Sequence, residues 1–135
     1  TTASGLLDGI PDSLPSLMRA SRIGARTAKV GFDWAESRDV LKKVDEELTE
    51  LREAIDAEEQ DHIDEELGDL LFTLANLARK LNLDPESSLR SANQKFKRRF
   101  QLLEENLSKQ GRSLREATSE ELEQEWRAVK LTPRR

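Results

Sequence analysis

Apolar residues recur at helical spacing through most of the chain. One series comprises Leu41, Val44, Leu48, Leu51 and Ile55, with polar residues between its members. A longer series follows, and its members are Ile63, Leu67, Leu70, Leu71, Leu74, Leu77, Ala78 and Leu81. Because steps of three and four residues place side chains on one face of an α-helix, each series predicts an amphipathic helix. The polar residues 58–61 predict a short connection between the two.

Helix-capping signals divide the N-terminal part of the chain. Residues 1–12 are rich in Gly, Ser and Thr and predict an irregular arm. Ser13 is the expected N-cap of a first helix that ends near Gly31. Asp33 is followed three residues later by Glu36, which is the pattern of an N-cap with its capping-box partner. We therefore expect the second helix to begin directly after Asp33.

Two further helices are predicted downstream. Asp84 as N-cap and Pro85 at the first helical position begin one of them. Its expected buried residues are Leu89, Ala92, Phe96, Phe100, Leu103 and Leu107. The last helix is capped by Thr118 or Ser119 and ends before Pro133. Since no segment has the pattern of a strand, the predicted fold is an all-α bundle of about five helices.

The chain is poor in apolar residues for a globular fold. Of its 135 residues, 36% are hydrophobic, 4% are aromatic and 36% are charged. Such a chain fills one core, so residues 13–131 are expected to form a single domain, followed by a short tail at 132–135. A thin core also favours burial against a second copy of the chain, which predicts a homodimer or a larger homo-oligomer.

Charge and residue usage narrow the possible functions. The chain contains no cysteine, which is compatible with a reducing cytoplasm, and its net charge of −5 argues against general nucleic-acid binding. We find no long apolar run and no secretory leader, so we expect a cytoplasmic protein without membrane contact. The chain begins with Thr rather than Met, which indicates a trimmed or excised chain.

Two acidic clusters lie on the two long helices, EELTE at 46–50 and EELGD at 65–69. A single Glu on a helix is usually solubilising charge. However, Glu47 and Glu50 fall on the same side of their apolar stripe, and Glu66 and Asp69 have the same offsets from theirs. Antiparallel packing of the two stripes would bring all four carboxylates to one shared face.

Converging carboxylates repel one another unless a cation lies among them. Their oxygen atoms suit Mg²⁺ or Mn²⁺, and Mg²⁺ shares its coordination between carboxylates, water and substrate phosphates. A structural zinc site is not expected, because His62 is the only histidine and cysteine is absent. His62 itself is expected to be solvated at the start of its helix. The clusters therefore predict a divalent-metal site that receives a phosphorylated substrate.

Basic residues suited to phosphates follow on the fourth helix. Lys95 and Arg99 are spaced i, i+4 on one flank of the Phe96–Phe100 stripe. Asn93 lies near the stripe itself, as either a buried core amide or a group that contacts the base or sugar. Trp126 on the last helix is either a core or interface anchor or a surface on which a base stacks.

Three segments in fixed order, EELTE (46–50), EELGDLLF (65–72) and ANQKFKRRF (92–100), resemble the signature of the MazG family of nucleoside triphosphate pyrophosphohydrolases. The segment GIPDSLPSLMRASRIGARTAKVGFDW (9–34) is similar to the lead-in to the family's catalytic domain. An isolated EExxE is common on helical surfaces, whereas the ordered set is specific. The likeness covers nearly the whole chain. It is strongest to the C-terminal of the two domains in long family members.

The resemblance implies an all-α fold, dimerisation, and Mg²⁺-dependent hydrolysis of nucleoside triphosphates to the monophosphate and pyrophosphate. Carried over by position, it implies metal ligands at Glu47, Glu50, Glu66 and Asp69, phosphate contacts at Lys95 and Arg99, and nucleotide contacts at Asn93, Trp126 and Lys130. Water would attack the α-phosphorus, and Glu46, one turn before Glu50, is the candidate to orient or deprotonate it.

Two alternatives remain open from the sequence. A related all-α enzyme with one dedicated substrate, such as a dUTP or dCTP pyrophosphatase or a phosphoribosyl-ATP pyrophosphohydrolase, uses the same four-carboxylate arrangement. A non-catalytic helical dimerisation or regulatory module would keep the acidic residues only as solvated surface. The presence of Glu or Asp at all four ligand positions favours an enzyme over that module.

Overall fold

The computed structural model of the chain describes residues 5–132. It contains five α-helices, α1 (Ser16–Ala28), α2 (Ser37–Asp56), α3 (Gln60–Lys80), α4 (Pro85–Lys109) and α5 (Ser119–Leu131). Residues 5–132 include no strand. The prediction of an all-α fold with about five helices is confirmed. No helix within this range is long and apolar enough to cross a membrane.

The chain divides into two compact units, one that extends to Ser88 and one that begins at Leu89. In the first unit, α2 packs along α3, and α1 packs against α3. Because only residues 57–59 connect α2 to α3, the two helices form an antiparallel hairpin. The hairpin is the scaffold of the acidic clusters.

The face that α2 and α3 bury differs from the predicted one. The buried residues of α2 are Val40, Glu47 and Ala54, and those of α3 are Glu66, Leu70, Thr73, Ala75 and Asn76. Six of the thirteen residues in the two predicted stripes are exposed, among them Leu41 at 51%, Leu67 at 45% and Leu74 at 40%. The apolar stripes are wider than this helix pair covers, so small and polar side chains share the contact with Leu70, while part of each stripe faces outward.

Two predicted helix starts are corrected by the structure. Asp33 does not cap α2. The N-cap is Glu36, and its backbone N–H donates to the Asp39 carboxylate at 3.0 Å. The Asp33 carboxylate instead accepts hydrogen bonds from Arg79, and this long-range pairing outweighs its local capping tendency. α1 begins after Pro15 rather than Ser13, because proline disfavours helical backbone at the residue before it, which is Leu14.

The second unit has its own small core. Leu103 and Leu107 of α4 and Val129 of α5 are buried, and Trp126 packs against them. The predicted burial of Leu89, Ala92 and Phe96 is wrong, since these residues are exposed along the N-terminal half of α4. Thr118 caps α5 as expected, and its hydroxyl accepts from the Glu121 backbone N–H at 3.1 Å.

Candidate metal centre

Three carboxylates converge between α2 and α3. Glu47 comes from α2, and Glu66 and Asp69 lie one turn apart on α3. One oxygen from each lies within 4.8 Å of the other two. The helix spacing of three residues turns Glu66 and Asp69 to one side, and the packed hairpin brings Glu47 to meet them. The structure thus brings together three of the four ligands that the sequence predicts.

Burial makes this cluster electrostatically costly. Glu47 is 4% exposed and Glu66 is 7% exposed, and the Oε2 atom of each lacks a hydrogen-bond partner. Burial raises the pKa of Glu66, and the nearby carboxyls of Glu50 and Glu47 raise it further. Buried charges of one sign are normally paired or bound to a metal. The unpartnered oxygens therefore favour a cation at this position.

The donor set fits a hard divalent cation. All three groups offer oxygen atoms, which Mg²⁺, Mn²⁺ and Ca²⁺ prefer. Two oxygens on one Mg²⁺ are at most about 4.2 Å apart, twice its ligand distance of about 2.1 Å. The three carboxylate oxygens lie within 4.8 Å of one another, which is close to that limit. The cluster can therefore hold a metal ion.

Glu50 and Glu46 lie at the edge of the cluster. Glu50 is exposed and outside the three-residue group, although its carboxyl is close enough to Glu66 to raise the pKa of that residue. The Glu46 side chain is 64% exposed, and its carboxylate lies 3.7 Å from Lys43 Nζ. Glu46 is thus accessible to solvent and shares Lys43 with the buried Glu47, and its role with water stays a prediction.

Two nitrogen-bearing side chains at the cluster, those of Lys43 and His62, were missed as site residues by the sequence reasoning. Lys43 Nζ lies 3.2 Å from Glu47 Oε1, and this hydrogen bond raises the pKa of Lys43. His62 Nε2 lies 3.1 Å from Glu66 Oε1, and hydrogen bonds to Glu59 and Glu66 raise the pKa of His62. The sequence could have identified both residues, because each stands four positions before its carboxylate and residues at this spacing are neighbours on one helix face.

The remaining predicted site residues belong to the second unit. Asn93, Lys95 and Arg99 lie on α4, and Trp126 and Lys130 lie on α5. Asn93 and Lys95 are exposed, so Asn93 is not a core amide. Trp126 packs against the core of this unit, and its ring centroid lies 5.1 Å from that of Phe96. Their contacts with phosphate or nucleotide stay predictions.

The family model described as MazG nucleotide pyrophosphohydrolase domain matches residues 35–102. The chain belongs to this family. The predicted resemblance to MazG is therefore confirmed, and the matched segment contains the whole carboxylate cluster together with Asn93, Lys95 and Arg99. Trp126 and Lys130 of this MazG chain lie beyond the matched segment.

Named relatives share the likeness over most of the chain. Identity is 46% over 117 residues with the nucleoside triphosphate pyrophosphohydrolase/pyrophosphatase MazG of Thermotoga maritima, covering 87% of this chain and 45% of that protein. It is 44% over 128 residues with the nucleoside triphosphate pyrophosphohydrolase of Escherichia coli K12, covering 92% and 48%. The uncharacterized protein YabN of Bacillus subtilis is 39% identical over 136 residues, covering all of this chain and 28% of YabN. The chain spans about half the length of the first two relatives.

Proposed function

We propose that this MazG domain hydrolyses nucleoside triphosphates, of the ribose and deoxyribose series, to the monophosphate and pyrophosphate. The observation that carries the proposal is the convergence of Glu47, Glu66 and Asp69, two of them buried with unpartnered oxygens. Support also comes from two relatives that are named nucleoside triphosphate pyrophosphohydrolases. Water would attack the α-phosphorus, and pyrophosphate would leave.

The metal in this proposal is Mg²⁺, with Mn²⁺ as a substitute. Glu47, Glu66 and Asp69 would hold it, and Glu50 would complete the set when its exposed side chain turns toward Glu66. Bound Mg²⁺ neutralises charge on phosphate oxygens and lowers the pKa of coordinated water. Lys43 and His62 would keep Glu47 and Glu66 oriented, because each already contacts one oxygen of its carboxylate.

Other residues of the chain would act on water and phosphate. Glu46, exposed beside the cluster, would orient the attacking water or accept its proton. Lys95 and Arg99 would bind phosphate oxygens and stabilise charge on the leaving pyrophosphate. Trp126 and Lys130 would lie near the nucleotide, as would Asn93.

The proposed active form is a homodimer in the cytoplasm. The support for pairing is the exposed apolar face of the first unit, where Leu41, Leu67, Leu71 and Leu74 are 40% to 51% exposed. A leucine-rich helix face of this kind is typical of a surface that a second chain covers. Light scattering coupled to size exclusion tests this point. A monomer at all concentrations would contradict it.

Product analysis in ¹⁸O-labelled water tests the reaction itself. The proposal predicts monophosphate carrying one ¹⁸O atom and unlabelled pyrophosphate, only when Mg²⁺ is present. Label in pyrophosphate, or diphosphate and phosphate as products, would overturn it. A panel of ribo- and deoxyribonucleotides separates the broad enzyme from one dedicated to dUTP, dCTP or phosphoribosyl-ATP. A chain without any hydrolysis would support the non-catalytic module.

A further inference from the structure

Helix α4 carries more positive charge than the proposed reaction uses. Residues 87–103 contain five basic residues and no acidic one, although the whole chain carries −5. Two of the five, Lys95 and Arg99, are the predicted phosphate contacts. The other three are Arg90, Lys97 and Arg98. Positive charge is therefore concentrated on one segment of an acidic chain, and its sign suits a negatively charged partner.

The three remaining cations share one side of α4 with two glutamines. At about 100° per residue, five side chains fall within an arc of about 100° on the helix surface. We call this arc the basic face of α4, and its members are Arg90, Gln94, Lys97, Arg98 and Gln101. All five are exposed. The face is centred about 130° from the apolar stripe that holds Phe96 and Phe100, so a second chain that covered the stripe would leave the basic face in water.

No carboxylate compensates the charge of this face. Among the ion pairs within residues 5–132, none involves Arg90, Lys97 or Arg98. By contrast, the partly exposed Arg19 and Arg79 each contact a carboxylate of their own unit. The charge of the basic face is therefore available to an external partner.

A phosphodiester backbone fits this face better than a protein surface or a membrane does. The core of a protein interface is depleted in charged residues and enriched in aromatic ones, and the basic face has no apolar member. A membrane-bound helix buries its apolar side in lipid, whereas Phe100 on the apolar side of α4 packs against the core of its own unit. Guanidinium, ammonium and glutamine groups all donate hydrogen bonds to phosphate oxygens.

The dimensions of the face suit a single strand. Arg90 and Gln101 are about 16 Å apart along the helix axis, which is the length of about five stacked nucleotides at about 3.4 Å each. A helix that reads a duplex enters the major groove, and the major groove of an RNA duplex is too narrow for that. A flexible single strand can follow one convex helix, because it needs only cations and polar groups along its backbone.

We propose that the basic face of α4 binds single-stranded nucleic acid through its phosphates. An even distribution of the net charge of −5 would repel a polyanion, but the segregated charge of α4 attracts one locally. The binding is independent of base sequence, since contacts with phosphates carry no sequence information. It is also independent of the proposed hydrolysis, because none of the five residues belongs to the carboxylate cluster or to the predicted phosphate contacts.

Fluorescence anisotropy of a labelled oligouridylate tests the proposal. A 5′-hydroxyl RNA without Mg²⁺ brings neither a triphosphate nor a metal to the carboxylate cluster, so its binding reports on another surface. With three cations on phosphates, log K should fall with log salt at a slope of about −2, which is about twentyfold between about 50 and about 200 mM salt. Arg90→Gln, Lys97→Gln and Arg98→Gln should each reduce the slope by about 0.7, and the triple variant should lose binding.

Charge-conserving and distant substitutions are the matched controls. Arg90→Lys and Arg98→Lys keep the charge and should keep the slope. Arg22→Gln removes an exposed arginine of α1 that makes none of the ion pairs within residues 5–132, and it should leave the affinity unchanged. Equal losses from Arg22→Gln and Lys97→Gln would show an effect of total charge and would overturn the proposal.

Further readouts separate this surface from the metal centre and from other anionic partners. The triple variant should keep its circular dichroism spectrum and its hydrolysis of nucleoside triphosphates. An active chain that does not bind the oligouridylate at low salt would overturn this inference alone, and an inactive chain that binds it would overturn the proposed function alone. Equal displacement of the RNA by polyglutamate, or binding to phosphatidylglycerol vesicles without binding to RNA, would also contradict a nucleic-acid surface.

Discussion

Glu47 on α2 and Glu66 on α3 face each other across the helix pair, both buried, and each has one carboxylate oxygen without a hydrogen-bond partner. A lysine reaches the other oxygen of Glu47, and a histidine reaches the other oxygen of Glu66. Each of the two carboxylates therefore has one oxygen in contact with a nitrogen and one oxygen without a partner. A bound divalent cation would remove the remaining repulsion.

Mg²⁺ should stabilise the wild-type chain more than it stabilises a variant that lacks one carboxylate. A ligand at a hundredfold excess over its Kd stabilises the native state by about 2.7 kcal/mol. We expect a matching rise in melting temperature for wild type. Glu66→Gln should abolish most of that rise without lowering the metal-free melting temperature, because Gln is uncharged and similar in size.

The control for this melting experiment is Glu65→Gln, one position away and exposed. It should keep the full Mg²⁺ response. An unchanged response in Glu66→Gln would contradict a metal site at the cluster, and a loss in both variants would indicate an effect of total charge.

Close packing of α1 on α3 depends on Gly24. A Cβ at this position would lie 1.7 Å from Asn76 Oδ1 and 2.8 Å from Asn76 Cγ. Because the buried Asn76 amide is already hydrogen-bonded to Arg79, it has little freedom to move away. Gly24→Ala should destabilise the chain by about 1–3 kcal/mol in urea unfolding, as overpacked cores do.

Gly68 on α3 supplies the matched control for that substitution. A Cβ there would meet no atom within 4 Å. Gly68→Ala should therefore stabilise the chain by about 0.5–1 kcal/mol, since alanine is the better helix former. Equal effects of the two substitutions would contradict the close contact between Gly24 and Asn76.

The ion pair of Asp33 should make stability depend on pH. Hydrogen bonds from Arg79 lower the pKa of Asp33 from 3.8 to about 2, and its side chain is 18% exposed. A lowered carboxyl pKa stabilises the fold above the unfolded-state pKa, and that stabilisation is lost as pH falls from about 4 toward 2. The shift corresponds to about 2 kcal/mol at neutral pH.

Asp33→Asn should therefore lower the free energy of unfolding by about 2 kcal/mol at pH 7, and the difference from wild type should shrink below pH 4. Urea unfolding at a series of pH values measures both. Asp12→Asn is the control. Asp12 pairs with Arg19, but the Asp12 side chain is 95% exposed, and exposed ion pairs contribute little to stability. A difference that persists at low pH would show that lost packing, not charge, is responsible.

Local patterns predicted the helices well because each depends on residues close in sequence. The apolar spacing from Ile63 to Leu81 lies within α3 except for its last residue, and Thr118 caps α5 as its side chain suggested. The same reasoning brought Glu66 and Asp69 to one helix face. These features follow from helix geometry alone.

The buried face and the contacts of Asp33 depend on partners that are distant in sequence. Helix periodicity assumes that apolar residues face the core, yet Glu47 and Glu66 are buried while Leu67 is exposed. Asp33 has the local pattern of an N-cap, but Arg79, 46 positions later, binds its carboxylate. A capping hydrogen bond contributes about 1 kcal/mol, and the hydrogen bonds that Arg79 and Lys80 donate to the Asp33 carboxylate outweigh it. Only the packed structure decides such competitions.

Pyrophosphate release by wild type and single carboxylate variants tests the central claim most directly. With a nucleoside triphosphate and Mg²⁺, we expect release by wild type and by Glu65→Gln at similar rates. Glu66→Gln and Asp69→Asn should each lower kcat/KM at least about a hundredfold, because the metal supplies several kcal/mol of transition-state stabilisation. Circular dichroism should show that both variants remain folded. Full activity in folded Glu66→Gln and Asp69→Asn would contradict the account.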